Sequence, residues 1–238
     1  MNNSYYETLD ENFIQALNLY EQDYSHEQLL EFLKGGNIVQ RQIAALRLEK
    51  ITSNEDAQVL LSNLTGQDGK IREAVSLRLC EFMSEEQSLQ YFKTLNCYDV
   101  FLDAIIDINP NICRNVISAI ANLKSDKTFV EHFCPNLTNL TLEFLDEVEK
   151  IDFREKKYKT NKSVFKLYWC LETVYEFWDK IDYASLKQII LRSKGVNEYT
   201  IREKAAKILS YGFDDVELDC ARKELQNDEN YYVSRYFL

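Results

Sequence analysis

Apolar residues recur at intervals of three and four along nearly the whole chain, the spacing that gathers them on one side of an α-helix. Leu9, Phe13, Ala16, Leu17 and Tyr20 form a first stripe and predict a helix over about 8–23. Ser25-His26-Glu27-Gln28 opens a second, before Leu29, Leu30 and Leu33, and Gly35-Gly36 closes it. Asn37 opens a third that runs to about Ile51, and Ser53-Asn54-Glu55-Asp56 opens a fourth that ends near Gly66. Asp68-Gly69 breaks the chain before a fifth, over about 70–83. The pattern continues over 85–94, 97–107, 111–123, 126–152, 163–180, 184–193, 198–211 and 215–226. Asn109-Pro110 suits a helix start, because proline fits the first turn. Pro135 either kinks the 126–152 stretch or begins its second half. No segment sustains a two-residue alternation, so the chain reads as all-α.

The second helix of several pairs repeats. Val39-Gln40-Arg41-Gln42-Ile43-Ala44-Ala45-Leu46-Arg47-Leu48 aligns with Lys70-Ile71-Arg72-Glu73-Ala74-Val75-Ser76-Leu77-Arg78-Leu79. Thr200-Ile201-Arg202-Glu203-Lys204-Ala205-Ala206-Lys207-Ile208-Leu209 fits the same frame, and Ile112-Cys113-Arg114-Asn115-Val116-Ile117 fits it more loosely. Small residues such as Ala44, Ala45, Ser76, Ala205 and Ala206 let neighbouring helices approach, while flanking Ile and Leu fill the layer between pairs. Arg41, Arg72, Arg114 and Arg202 recur early in the helix, where a guanidinium can meet an acid or the carbonyls of an adjacent turn; the alternative is a ladder of arginines that reads a ligand. At ~40 residues per unit the chain holds about six units.

On these residues the chain resembles the HEAT family of α-solenoid repeats, whose second helix begins with Asp, a short spacer, Val/Ile-Arg and an Ala-rich run. Asp68-Gly69-Lys70-Ile71-Arg72-Glu73-Ala74 matches best, and Asn197 to Ala206 matches nearly as well with Asn in place of Asp. Gln40 and Cys113 stand where an aliphatic residue precedes the arginine in that family. The resemblance implies a right-handed α-solenoid of about six helix pairs, a single domain over 1–238 with a basic insert near 153–162. It also implies that the second helices line a concave groove where a partner lies. Arg47 and Arg78, six residues beyond the repeated arginine, then project from equivalent places on adjacent helices.

Charge modifies this picture. Lys and Arg number 28 against 39 Asp and Glu, a net charge of −11, whereas a surface that tracks phosphates is basic. The excess is uneven: residues 150–207 hold 14 basic and 8 acidic residues, and residues 1–149 carry a net −13. Lys156, Lys157, Lys159 and Lys162 lie just before the aromatic cluster Tyr168, Trp169, Tyr175, Phe177 and Trp178. Aromatic and basic residues together can stack bases and hold phosphates; otherwise the rings are core and the lysines a solvated loop.

Candidate chemistry is sparse. The six cysteines form no CxxC and only two histidines, His26 and His132, are present, so no metal or cofactor is expected. Cys80, Cys113 and Cys170 sit in apolar helical runs as small hydrophobes. His132 and Cys134, two apart, do not share a helix face. There is neither a glycine-rich phosphate loop nor a nucleophile–base arrangement. The expected activity is non-enzymatic binding of another protein, with Arg47, Arg78, Lys156, Lys157, Lys159, Lys162, Trp169 and Trp178 as candidate contacts. Two other readings remain. One is an acidic inhibitor, of the immunity type, that neutralises a basic enzyme. The other is a resemblance to alkylpurine DNA glycosylases built from HEAT-like helices, to which Phe177-Trp178-Asp179 is an echo. The N-terminus has no signal-peptide pattern and no window is apolar enough to span a membrane, so a cytoplasmic location is expected. The apolar end, Tyr231 to Leu238, is expected to cap the stack.

Overall fold

The computed structural model describes residue 14, residues 17–153 and residues 160–238, apart from the side chains of residues 160 and 161. Half of the helix expected over 8–23 falls outside these residues, and residues 17–21 of it are helical; Lys156, Lys157 and Lys159 lie outside as well. Within the described residues there is no strand.

The helices are α1 (His26–Gly35), α2 (Ile38–Arg47), α3 (Asn54–Leu61), α4 (Gly69–Ser84), α5 (Glu86–Lys93), α6 (Tyr98–Ile105), α7 (Pro110–Ala121), α8 (Lys127–Val148), α9 (Thr160–Glu176), α10 (Tyr183–Lys194), α11 (Tyr199–Leu209), α12 (Val216–Gln226) and α13 (Tyr231–Ser234). Their starts follow from local chemistry. The first amides of a helix lack intrahelical acceptors, and a short polar side chain at the N-cap supplies one. Ser53, Asp68, Asn109, Asp126, Asp182, Asp215 and Asn230 each do so. Ser25 with Gln28, and Asn37 with Gln40, close reciprocal capping boxes. This accounts for Gln40 preceding Arg41: its side chain is committed to the Asn37 amide. Pro135 lies inside the continuous α8.

Contacts divide the described chain into two units: one of the residues up to Ala104 with Asn109–Asn122, the other of Ile105–Ile108 with Leu123–Leu238. In the first unit α1, α3 and α5 pack in succession as one layer, and α2, α4 and α7 as a second. In the second unit the layers are α8, α10, α12 and α9, α11, α13. Within each unit, then, the helices of a layer stack on their own kind, the arrangement of an α-solenoid. The layers meet over fully buried Leu33, Leu48, Leu60, Leu79 and Phe82 in the first unit, and Phe133, Leu167, Leu171, Ile189 and Ile208 in the second. Each such side chain stabilises by about 1.5–3 kcal/mol. Ala44, Ala45, Ala205 and Ala206 are wholly buried in the second layers, where a larger residue would force neighbouring helices apart. No described helix is long and apolar enough to cross a membrane.

Candidate functional site

The recurring arginines tie helices together. Arg41 Nε donates to the Gly36 carbonyl at 2.8 Å and its Nη1 to Gln67 Oε1 at 3.0 Å. Arg72 donates to the Gln67 carbonyl. Arg202 Nη1 donates to the Asn197 carbonyl at 2.8 Å, and its Nε lies 2.6 Å from Asp228 Oδ2. In all three the carbonyl is five residues earlier, in the loop that leads into the arginine's own helix. Arg41 and Arg202 reach onward as well, to side chains 26 residues later. Arg114 differs: it donates to Asn111 Oδ1 at 3.3 Å, within its own first turn. The following acid makes a second tie. Glu73 accepts from Asn109 Nδ2 at 3.2 Å and Asn111 Nδ2 at 2.8 Å, and Glu203 accepts from Arg235 at 2.9 Å and the Tyr236 hydroxyl at 3.2 Å. The sequence reading overlooked this pair, although Arg72-Glu73 and Arg202-Glu203 repeat it in plain letters.

Arg47 and Arg78 both serve the end of an earlier helical segment. Arg47 donates to the Tyr20 carbonyl at 3.0 Å and to the Gln22 carbonyl, while Arg78 donates to the Leu48 carbonyl and pairs with Glu81. Their guanidinium groups also lie over aromatic rings, Arg47 over Tyr24 at 5.5 Å and Arg78 over Phe82 at 4.6 Å. Both guanidinium groups are thus engaged within the fold.

The aromatic cluster after the basic segment is divided by the fold. Trp169 is 7% exposed and packs beside Phe165 and Tyr168; Phe177 is fully buried with Phe129 and Phe133. Tyr168 and Tyr175, two turns apart on α9, share the outer side of the second layer with Glu172. From α11, Lys204 sets its ammonium 4.1 Å from the Tyr168 ring centre, and Lys207 sets its own 3.8 Å from that of Tyr175. Both lysines reach one carboxylate: Lys204 Nζ is 2.8 Å from Glu172 Oε2, and Lys207 Nζ is 2.6 Å from Oε1. Tyr211 stacks with Tyr175 at 5.1 Å and with Trp178 at 4.6 Å, and Phe213 meets the Trp178 ring edge-on at 5.6 Å. Gly212, at φ +81°, makes the turn that lets residues 211 and 213 flank Trp178. Just past α13, Arg235 lies over Tyr232 of that helix at 5.3 Å and over Tyr236 at 5.1 Å.

Electrostatics hold the centre of this face ionised. Lys204 is only 4% exposed. Burial opposes charge on both partners, pushing Glu172 up and Lys204 down, but their mutual attraction outweighs it. The Glu172 carboxyl consequently titrates below the usual range and the Lys204 ammonium above it. Burial also leads the shift at Tyr211, whose hydroxyl is raised well above the ordinary tyrosine value, with the Tyr175 hydrogen bond adding to it.

Other candidates lie apart from this face or are engaged elsewhere. Lys162 is exposed in the first turn of α9. Asp179 pairs with Lys124 at 2.8 Å and Lys180 at 3.3 Å, so Phe177-Trp178-Asp179 splits into a core ring, a surface ring and an ion pair. His132 is exposed, with Nδ1 2.9 Å from the Thr128 carbonyl, and Cys134 is buried, its thiol pushed up by desolvation to about 11. A cleft of about 420 Å³ beside Cys134 is lined by residues such as Thr138, Asn139, Lys180 and Ser185. Among the described residues, no group of three or more His, Cys, Asp or Glu converges as metal ligands do.

No protein-family model matches the chain, and no curated protein matches it. The solved structures to which the chain is similar include two engineered proteins. A designed armadillo repeat protein aligns with a TM-score of 0.46 at 13% identity, over 89% of this chain and 96% of its own. An engineered protein from a structural genomics consortium aligns with a TM-score of 0.49 at 15% identity, over 90% of this chain and 96% of its own.

Proposed function

We propose that the chain is a non-enzymatic protein-binding scaffold, and that the outer side of α9, α11 and α13 is its docking face. One observation carries this reading: the aromatic side chains there are both accessible and already packed. Tyr211 is 43% exposed yet stacked with two rings, and Tyr232 is 53% exposed beside Tyr199 and Arg235. Tyrosine and tryptophan held in one rotamer lose little entropy on binding and bring large contact areas, which is why they dominate the energetics of interfaces. The test is affinity purification from the native cell with mass spectrometry, comparing the natural chain with a Tyr211→Ser, Tyr232→Ser double variant. Partners recovered by the natural chain and lost by the folded variant support the docking face. Partners retained at equal yield by the variant refute it.

The acidic excess of residues 1–149 favours a second reading, an inhibitor that captures a basic enzyme. That reading requires a single tight basic partner whose affinity falls steeply as salt rises, measured by titration at several ionic strengths.

A further inference from the structure

We propose that the cleft between α8 and α10 binds a small uncharged molecule, one that joins an apolar body to an amide-like donor–acceptor group. The cleft lies in the first layer of the second unit, and the inference is independent of the docking face.

Pro135 shapes the cleft. α8 runs unbroken through it, so Val130, Cys134, Pro135, Thr138 and Asn139 form one wall, and Lys180 and Ser185, before and within the first turn of α10, form the other. A proline has no amide hydrogen, so the carbonyl of Glu131, four residues earlier and in the same wall, loses its helical donor. The volume of about 420 Å³ falls within the range of small-molecule sites, about 300–1,000 Å³.

Thr138 is the residue that points to a ligand. It is only 8% exposed, yet no described residue bonds to its hydroxyl, which is not sealed off from the cleft. Thr141 and Thr173 return theirs to the carbonyl four residues earlier, at 2.7 and 2.8 Å. The Thr138 hydroxyl is left as a donor and acceptor for whatever enters, and the Asn139 amide stands beside it at the rim.

The charges around the cleft are answered within the fold. Glu131 meets Lys127 at 3.6 Å, and Asp179 meets Lys124 at 2.8 Å and Lys180 at 3.3 Å. Asp182 accepts from the Ser185 amide at 2.9 Å and the Ala184 amide at 3.3 Å, which takes up the N-terminal donors of α10 that would hold an anion. Burial raises the Cys134 thiol to about 11, so it stays neutral. Acids and lysines balance, and neither sign of ligand is favoured. What remains unanswered is uncharged: the Thr138 hydroxyl, the Asn139 amide and the Glu131 carbonyl, beside apolar Val130 and Pro135.

The experiment titrates the isotope-labelled full chain with benzamide, benzoate and benzylamine, one ring in three charge states, and follows backbone amide shifts by NMR. We expect benzamide to shift the amides of Thr138, Asn139 and Ser185, and to bind about tenfold more tightly than either ion. Thr138→Val keeps the shape, removes the hydroxyl and should weaken benzamide about fivefold. Thr138→Ser restores the hydroxyl and should stay within about twofold of the natural chain. Thr141→Val, whose lost hydroxyl is bonded to the Leu137 carbonyl, should leave the affinity as it was. Circular dichroism checks that each variant is folded. Equal affinity for the three probes, preference for an ion, equal effects of Thr138→Val and Thr141→Val, or no shift at the cleft overturns the proposal.

Discussion

In the first unit the outer side of the second-layer helices carries Leu46 and Leu77, 42% and 43% exposed, with the amides of Asn111 and Asn115 beyond them. In the second unit the same side carries Tyr168, Tyr175, Tyr211 and Tyr232, interleaved with Lys204, Lys207 and Arg235. Lys207 stands five residues after Arg202, just as Leu46 and Leu77 stand five after Arg41 and Arg72. The inward positions hardly differ: Ala44, Ala45, Ala205 and Ala206 are equally buried. Packing constrains the face between helices and leaves the outward face free to vary, so the difference between the units lies where a partner can feel it. The arginine ties differ in the same sense. Arg41 meets the neutral amides of Asn63 and Gln67, whereas Arg202 meets the carboxylate of Asp228.

The sharpest way to break the comparison is to remove a central charge from each unit. Glu172→Gln leaves the buried Lys204 without a counter-ion and should cost about 2–4 kcal/mol, read from urea denaturation. Adding Lys204→Met should recover part of that loss. Glu73→Gln in the first unit removes a charge that faces only amides and should cost about 1 kcal/mol. If the two Gln variants are equally destabilised, the units do not differ as described.

Next in size, Arg202→Gln should cost about 2 kcal/mol and Arg41→Gln about 1 kcal/mol, since bonds to charged groups are the stronger. A thermal midpoint lower for Arg41→Gln than for Arg202→Gln would reverse the ranking.

Acid should separate the units further. In the second unit Asp228 is held low by Arg202, and Asp215 is lowered to about 2, first by its bond from Lys187. Asp179 is also held low, because the lysine contacts outweigh burial. Glu172 adds to these. In the first unit burial pushes Asp56 up, but hydrogen bonds from Thr52, His26 and Ser53 outweigh it. A carboxyl with a lowered folded-state value binds fewer protons folded than unfolded. Its stabilisation is therefore present above the ordinary carboxyl range, near pH 4, and is lost as pH falls through the folded value. More groups of this kind act in the second unit, so on acidification amide exchange should rise first in α9, α11 and α13 and later in α2 and α4.

The smallest effect concerns the outward side chains alone. Leu77→Ser should change stability by less than about 0.5 kcal/mol, whereas Tyr211→Ser, which breaks two stacks, should cost about 1 kcal/mol. Calorimetry distinguishes the two.

Much of the fold was legible because its signals are local. Asp68, Asn109-Pro110 and Asp215 mark helix starts by their own side chains, and the three-and-four spacing of Leu60, Leu64, Leu79 and Phe82 marks the buried stripe. The candidate site was legible in part. The spacing of seven between Tyr168 and Tyr175 puts them on a common helix face, but Trp169, grouped with them in the aromatic cluster, turns inward, because on α9 it sits over the side that packs into the core. Tyr211, Phe213 and Lys207 were not connected to that cluster at all, since they lie more than 30 residues along the chain from Tyr175 or Trp178 and no local pattern points across that distance.

By itself the chain determined its helices, their breaks and the repeating arginine frame, because capping, periodicity and small-residue spacing act within one or two turns. Only the tertiary structure decided that two lysines converge on Glu172, and that Tyr211 lies against Trp178. Those meetings depend on how one helix lies beside another in the second layer, and that register follows from the summed packing of many side chains rather than from any neighbouring residue.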